Sequence, residues 1–132
     1  MEITYRSDVI PSAEEVIKLY DNSGLPRPTD NPERIKKMFA HSDLVVTAWD
    51  GELLVGLSRS LTDWVWSCYL ADLSVREDYK RKGIGIQLIR LTKEKVGPET
   101  MVLLLSVASA MEYYPKAGFQ KVENGFILNR EK

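Results

Sequence analysis

YKRKGIGIQLIR, residues 79–90, sets three basic residues against two glycines one residue apart and then opens an amphipathic pattern. Ile84, Leu88 and Leu91 form a helical stripe that runs to Val96, where Gly97 and Pro98 stop it. Upstream, WSCYLADLSV (66–75) reads as a strand, so the order is strand, charged turn, Gly83-Ile84-Gly85, helix. The first amides of a helix have no intrahelical partner and sit at the positive end of the macrodipole, so glycines there let an anion reach the backbone. The same residues also fit a solvated cationic turn. No Walker-type Gly-Lys-Ser/Thr is present, and Leu88 stands where a dinucleotide fingerprint needs its third glycine. An ordinary nucleotide-hydrolysing loop and a Rossmann site are therefore excluded.

Working outward, residues 2–6 alternate as a short first strand, and Ser12 with Glu15 gives the capping-box spacing before Ala13, Val16, Ile17 and Tyr20. NSGLPRPTDNP (22–32) reads as loop, and Asn31 followed by Pro32 opens a second helix carrying Ile35, Met38 and Phe39. Two apolar runs, 43–50 and 53–62, flank the hairpin signal Asp50-Gly51 and lead into the strand at 66–75. After the helix, MVLLLSV (101–107) reads as a strand buried on both faces and parallel to an earlier one. Ser109 and Glu112 repeat the capping-box spacing before a short helix that Pro115 disturbs and Gly118 ends. Residues 119–122 and 126–129 then form a hairpin around Asn124-Gly125. The expectation is one α/β domain over 1–132, with a mixed sheet of six to seven strands and about four helices.

The bulk properties narrow the function. With 132 residues and 44% hydrophobic content, one ordinary core accounts for the chain. A formal net charge of −1, with acids and bases interspersed, leaves no global positive field for nucleic acid or an anionic membrane, so any anion must be held locally. Cys68 is the single cysteine, the first residues lack the apolar core of a signal peptide, and the longest apolar run is too short to cross a bilayer. A cytoplasmic location is expected. One histidine, His41, rules out a multi-histidine metal site, so no metal is expected.

DLSVREDYKRKGIGIQLI (72–89) resembles the acyl-CoA-binding motif of the GNAT superfamily of N-acetyltransferases, and AMEYYPKAGFQKV (110–122) resembles the same family's later motif. The two come in the family's order, and the element order matches over essentially the whole chain. The front half, SDLVVTAWDGELLVGLSRS (42–60), resembles a subgroup that includes plant and bacterial arylalkylamine acetyltransferases.

The resemblance implies acetyl-CoA as cosubstrate, its pyrophosphate held by the backbone of Arg81, Lys82, Gly83, Ile84, Gly85 and Ile86. Leu73, Ser74 and Val75 would bind the pantetheine arm as an added strand, with the Leu73 amide holding the oxyanion. Tyr114 falls where relatives carry the general acid that protonates the departing thiolate, a reasonable role for a phenol beside a thiol. Tyr113 reads as aromatic packing. The acceptor, a primary amine of a small molecule, would enter near Leu25, Pro26, Phe39, Trp64, Trp66 and Tyr69, most of which are also ordinary core residues.

The chain departs from the family at several positions. Tyr69 replaces the strand Glu or His that serves relatives as base. Asp72, the nearest acid, is open to a hydrogen-bonding structural role or a water relay. Lys80 stands in a Gln or Arg slot, and Ser109 reads as a helix cap where relatives often have Asn. The missing carboxylate supports a competing reading, a non-catalytic acyl-CoA-binding module. Small relatives are often dimers, which makes a homodimer the candidate assembly.

Overall fold

The computed structural model describes residues 2–132. Its helices are α1 (Ala13–Ser23), α2 (Pro32–Ala40), α3 (Ile84–Val96) and the short α4 (Tyr113–Lys116), and its strands are β1 (Thr4–Arg6), β2 (Leu44–Asp50), β3 (Leu53–Thr62), β4 (Ser67–Val75) and β5 (Met101–Leu103). The strands form one sheet in the order β1-β2-β3-β4-β5, antiparallel except for the last pair, which is parallel through the α3 crossover. The sheet is therefore mixed and five-stranded, short of the six to seven expected.

Local chemistry accounts for most element boundaries. The Ser12 side chain accepts from the Glu15 amide while the Glu15 carboxylate accepts from the Ser12 amide, a complete capping box, and Gly24 closes α1 with a left-handed φ of 80°. Asn31 caps α2 with Pro32 in its first turn. Asn22 and Ser23, read as loop, extend α1 by two residues because Gly24 is the real stop.

Strand alternation sends side chains to two layers. Val45 and Leu57 pack with Val16, Leu19 and Tyr20 of α1 and Ile35 and Phe39 of α2. Leu44, Val46, Ala48 and Val55 pack on the other face with Ile84, Leu88 and Val96 of α3. Gly56 lets α3 come close: a Cβ there would lie 3.2 Å from Ile84 Cγ2, Leu88 Cδ1 and the Ser74 carbonyl oxygen.

The last third differs from the sequence expectation. The strand at 101–107 shrinks to Met101–Leu103, and it lies at the sheet edge with Met101 and Leu103 exposed, not buried on both faces. Ser109 caps nothing. It lies inside a 3-10 turn (Ala108–Ala110), and α4 starts after Glu112 with no side-chain cap. The hairpin at 119–122 and 126–129 is not formed, and both runs are without strand structure and largely exposed. A local strand pattern needs a partner edge to supply its hydrogen bonds, and within this chain neither run meets one.

Candidate active site

β4 organises the site. It pairs with β5 only through Ser67, Cys68 and Tyr69, so from Leu70 to Val75 its β5-side edge is open. On its other side the register with β3 shifts: Arg59 opposes Asp72 and Ser60 opposes Leu70, which makes Ala71 the extra residue of a β-bulge. Leu73, Ser74 and Val75 lie just beyond the bulge, along the open edge.

The chain then makes a 3-10 turn (Glu77–Tyr79) and enters α3 through two left-handed residues, Arg81 (φ 65°) and Gly83 (φ 84°). Amides from Arg81 to Ile86 have no hydrogen-bond acceptor among the described residues, and the first turn of α3 contains no acidic residue. Left-handed residues leading into a helix N-terminus aim successive N–H groups into one concavity. At Gly85 a Cβ would meet the Tyr113 hydroxyl oxygen at 2.7 Å, so the cradle is closed by that phenol. The open edge at Leu73 to Val75 and the turn at Arg81 to Ile86 are neighbours in the fold: a Cβ at Gly85 would also lie 3.9 Å from Val75 Cγ2.

Of the three basic side chains, Lys80 is taken up by the protein itself. Lys80 Nζ donates to the Ser23 carbonyl at 3.1 Å and pairs with Glu77 at 2.8 Å, so it ties the turn to the end of α1. Two further ties reinforce it: the Glu77 amide donates to Asn22 Oδ1 at 2.9 Å, and the Ser23 and Ser74 hydroxyls meet at 2.6 Å. These long-range contacts leave no mark in local sequence.

Tyr114 is half-buried on α4, its ring edge-on to Tyr113 at 5.2 Å and to Phe119 at 5.6 Å. Burial pushes its pKa up, the neighbouring Tyr113 adds to this, and the Arg27 charge partly opposes it. The phenol therefore keeps its proton at neutral pH. Tyr113, assigned to packing by sequence, stacks edge-on against Tyr114 and also sets its hydroxyl against Gly85, a contact that local sequence does not show.

Asp72 is completely buried and fully used. Its Oδ1 accepts from Arg27 Nε at 2.6 Å, and its Oδ2 accepts from Arg59 Nε and the Tyr20 hydroxyl, both at 2.7 Å. Burial alone would raise its pKa, but the hydrogen bond and charge of Arg59, the charge of Arg27 and the Tyr20 hydroxyl outweigh it, and the carboxylate stays below its ordinary range. Of the two roles open to it, the structure supports the hydrogen-bonded one. Arg27, on the α1–α2 loop, also donates from Nη2 to the Ala71 carbonyl at 2.8 Å, which fixes the bulge.

The acceptor-side candidates are not gathered in one place. Phe39 is buried in the α1–α2 core beneath the Arg59 guanidinium, and Leu25 packs against the same cluster. Trp64 and Trp66 are exposed on the β3–β4 turn, where Trp66 shares a shallow depression with Glu99 and Met101; Tyr69 lies on β4, partly exposed. Among the described residues no group of His, Cys, Asp and Glu could hold a metal ion, and no helix is long and apolar enough to cross a membrane.

The acetyltransferase (GNAT) domain model matches residues 20–129. The chain belongs to the GNAT acetyltransferase family. A GNAT-family acetyltransferase from Streptococcus pneumoniae is 27% identical and superposes with a TM-score of 0.79, covering 98% of this chain and 100% of that one. A protein of unknown function from meticillin-resistant Staphylococcus aureus, 21% identical, covers the same shares with a TM-score of 0.84. PaiA N-acetyltransferase from Thermoplasma acidophilum, in complex with coenzyme A, is 18% identical with a TM-score of 0.72 over 96% of this chain and 94% of that one. No curated protein sequence matches significantly. The GNAT fold uses acetyl-CoA. These matches fix the family and do not reach the arylalkylamine-acetyltransferase subgroup.

Proposed function

We propose that the protein is an acetyl-CoA-dependent N-acetyltransferase acting on a primary amine of a small molecule. One observation carries this reading: the unbonded amides of Arg81 to Ile86 continue from an open strand edge at Leu73 to Val75, with the protonated Tyr114 on the neighbouring α4. The Leu73 amide is assigned to the thioester oxygen as charge develops on it. The neutral amine attacks the acetyl carbon, the C–S bond breaks, and Tyr114 gives its proton to the leaving sulfur. The amine nitrogen loses its own proton to solvent, since Asp72 is locked by two guanidinium groups. The buried, free Cys68 fits a reducing compartment, and we place the enzyme in the cytoplasm.

The same absence of a carboxylate base favours one other reading, an acyl-CoA-binding module without turnover. Thiol release from acetyl-CoA across a panel of small aliphatic, aromatic and amino-acid amines separates the two. Saturable coenzyme binding with amine-dependent thiol release supports the enzyme; binding with no release for any amine supports the module. The scattered Phe39, Trp64 and Trp66 give no particular support to an aromatic amine.

A further inference from the structure

The buried group around Asp72 is left with one positive charge over. Arg27 and Arg59 each bring a cation to that carboxylate, and its third partner is the Tyr20 hydroxyl. Burial and the adjacent carboxylate push the Tyr20 pKa well up, so no second anion forms there at neutral pH. Ser42, which accepts from Arg59 Nη1 at 3.2 Å, is neutral as well. Two guanidinium groups therefore share a single carboxylate, in surroundings where an unanswered charge is costly.

The two arginines are not equivalent. Arg59 is buried, and its guanidinium lies over the Phe39 ring at 5.7 Å, so Asp72 and the ring face both meet its charge. Arg27 keeps 24% of its side chain in solvent, against 10% for Arg59. It is pinned at three points, by Nε to Asp72, Nη1 to the Pro26 carbonyl at 2.7 Å and Nη2 to the Ala71 carbonyl at 2.8 Å. A guanidinium has five N–H groups, so one on each Nη has no acceptor among the described residues. Because the plane is already fixed, an incoming anion finds those donors in place. The chain's own acids nearby are engaged or in open solvent: Asp21 accepts from Thr29, Glu77 pairs with Lys80, and Asp30 is exposed.

The place of this cation matters as much as its charge. Arg27 follows Leu25 and Pro26 in the loop after α1, and it grips Ala71, two residues before Leu73 and roughly 6.6 Å from it along β4. Its field also reaches the Tyr114 phenol. Resting on the N-acetyltransferase reading, we propose that the acceptor carries a carboxylate as well as its amine, as amino acids do, and that Arg27 binds that carboxylate. The anion supplies the missing counter-charge and holds the substrate by an end that does not react. A plain alkylamine leaves the guanidinium unanswered, and a polyamine is repelled by it.

The test compares acceptors that differ only at that group: α- and ω-amino acids, each beside its primary amide and its decarboxylated amine. Thiol release from acetyl-CoA is followed, with rates corrected for the free-amine fraction. For the acids that turn over, kcat/KM is expected about tenfold or more above both partners, chiefly through KM. Arg27→Gln is expected to erase that preference and Arg27→Lys, which keeps the charge, to restore part of it. Should Arg27→Gln unfold, Arg27→Lys carries the test: its KM should rise more for the acids than for the amides, and an equal rise overturns the assignment. Turnover in which amides or decarboxylated amines match or exceed the acids overturns the proposal and leaves the acetyltransferase reading standing. A preference that survives in folded Arg27→Gln removes Arg27 as the anchor. If no amine releases thiol, the acetyltransferase reading falls, and calorimetry of the coenzyme A-loaded protein with the same acids and amides decides the anion site: Arg27-dependent binding of the acids supports it, and no binding overturns it.

Discussion

Asp72→Asn is the sharpest perturbation of the frame around the site. The wild-type carboxylate takes two guanidinium groups and a phenol at 2.6 to 2.7 Å with no solvent contact. The amide keeps one acceptor oxygen, turns an N–H₂ toward a donor, and leaves two arginine charges facing each other without the anion between them. Breaking a buried ion pair in this way costs about 3–5 kcal/mol. An unfolding entropy of roughly 2.1 cal/mol/K per residue gives about 0.28 kcal/mol/K for this chain length, so the melting temperature should drop by about 11–18 °C. Differential scanning calorimetry at pH 7 measures it. Because the folded-state pKa of Asp72 is depressed, its contribution is fully present above the ordinary carboxylate range, near 4, and is lost as pH falls through the lower native value. The gap between wild type and variant should therefore stay constant from pH 5 to 8 and narrow only in stronger acid. A drop under about 4 °C, the size of a surface ion pair, would refute the argument that this network holds the bulge and the α1–α2 loop together.

Gly85→Ala separates cradle from fold: the new methyl meets the tip of the Tyr113 ring and comes to ordinary contact with Val75, so thermal stability should hold or rise slightly, while coenzyme A affinity by calorimetry falls about tenfold or more, ~1.4 kcal/mol. Equal affinity would move the anion site elsewhere. Tyr114→Phe keeps the stacking with Tyr113 and Phe119 but removes the proton, so kcat should fall about 10²-fold or more with the KM for acetyl-CoA unchanged. Unchanged turnover would remove the acid role. Since its pKa lies above the ordinary tyrosine value, no loss of kcat from this group is expected between pH 7 and 9. Gly56→Ala forces a methyl against two α3 side chains and a backbone carbonyl, with an expected loss of about 1–3 kcal/mol in urea unfolding. A neutral result would mean that α3 is free to shift.

What sequence could show here was what neighbouring residues decide between themselves. Ser12 with Glu15, Asn31 with Pro32, and Gly97 after Val96 all mark helix ends in the structure, because caps and stops are local hydrogen-bonding problems. The same reasoning misread Ser109 and Glu112, whose spacing matches a capping box but whose backbone makes a 3-10 turn. It also closed a hairpin at Asn124-Gly125 that has no edge to pair with. The site divides in the same way. The glycine turn into α3 was legible because its conformational demand lies within a few residues. The role of Asp72 was not, because Arg27 and Arg59 reach it from 45 and 13 positions away, and neither was Tyr113, which meets Gly85 only through the fold.

The ties between α1 and the glycine turn, Asn22 to Glu77, Ser23 to Ser74 and Lys80 to Ser23, join the end of α1 to β4 and the turn mechanically. A ligand that orders the turn also restrains the start of the loop carrying Arg27, and an acceptor that orders the loop restrains the turn. The two binding events therefore share a coupling free energy, and linkage requires it to be the same in both directions. On the proposed reading, the factor that acetyl-CoA adds to amine affinity equals the factor that a dead-end amine analogue adds to acetyl-CoA affinity. Order of addition would then follow from how α1 is fastened, without any moving lid.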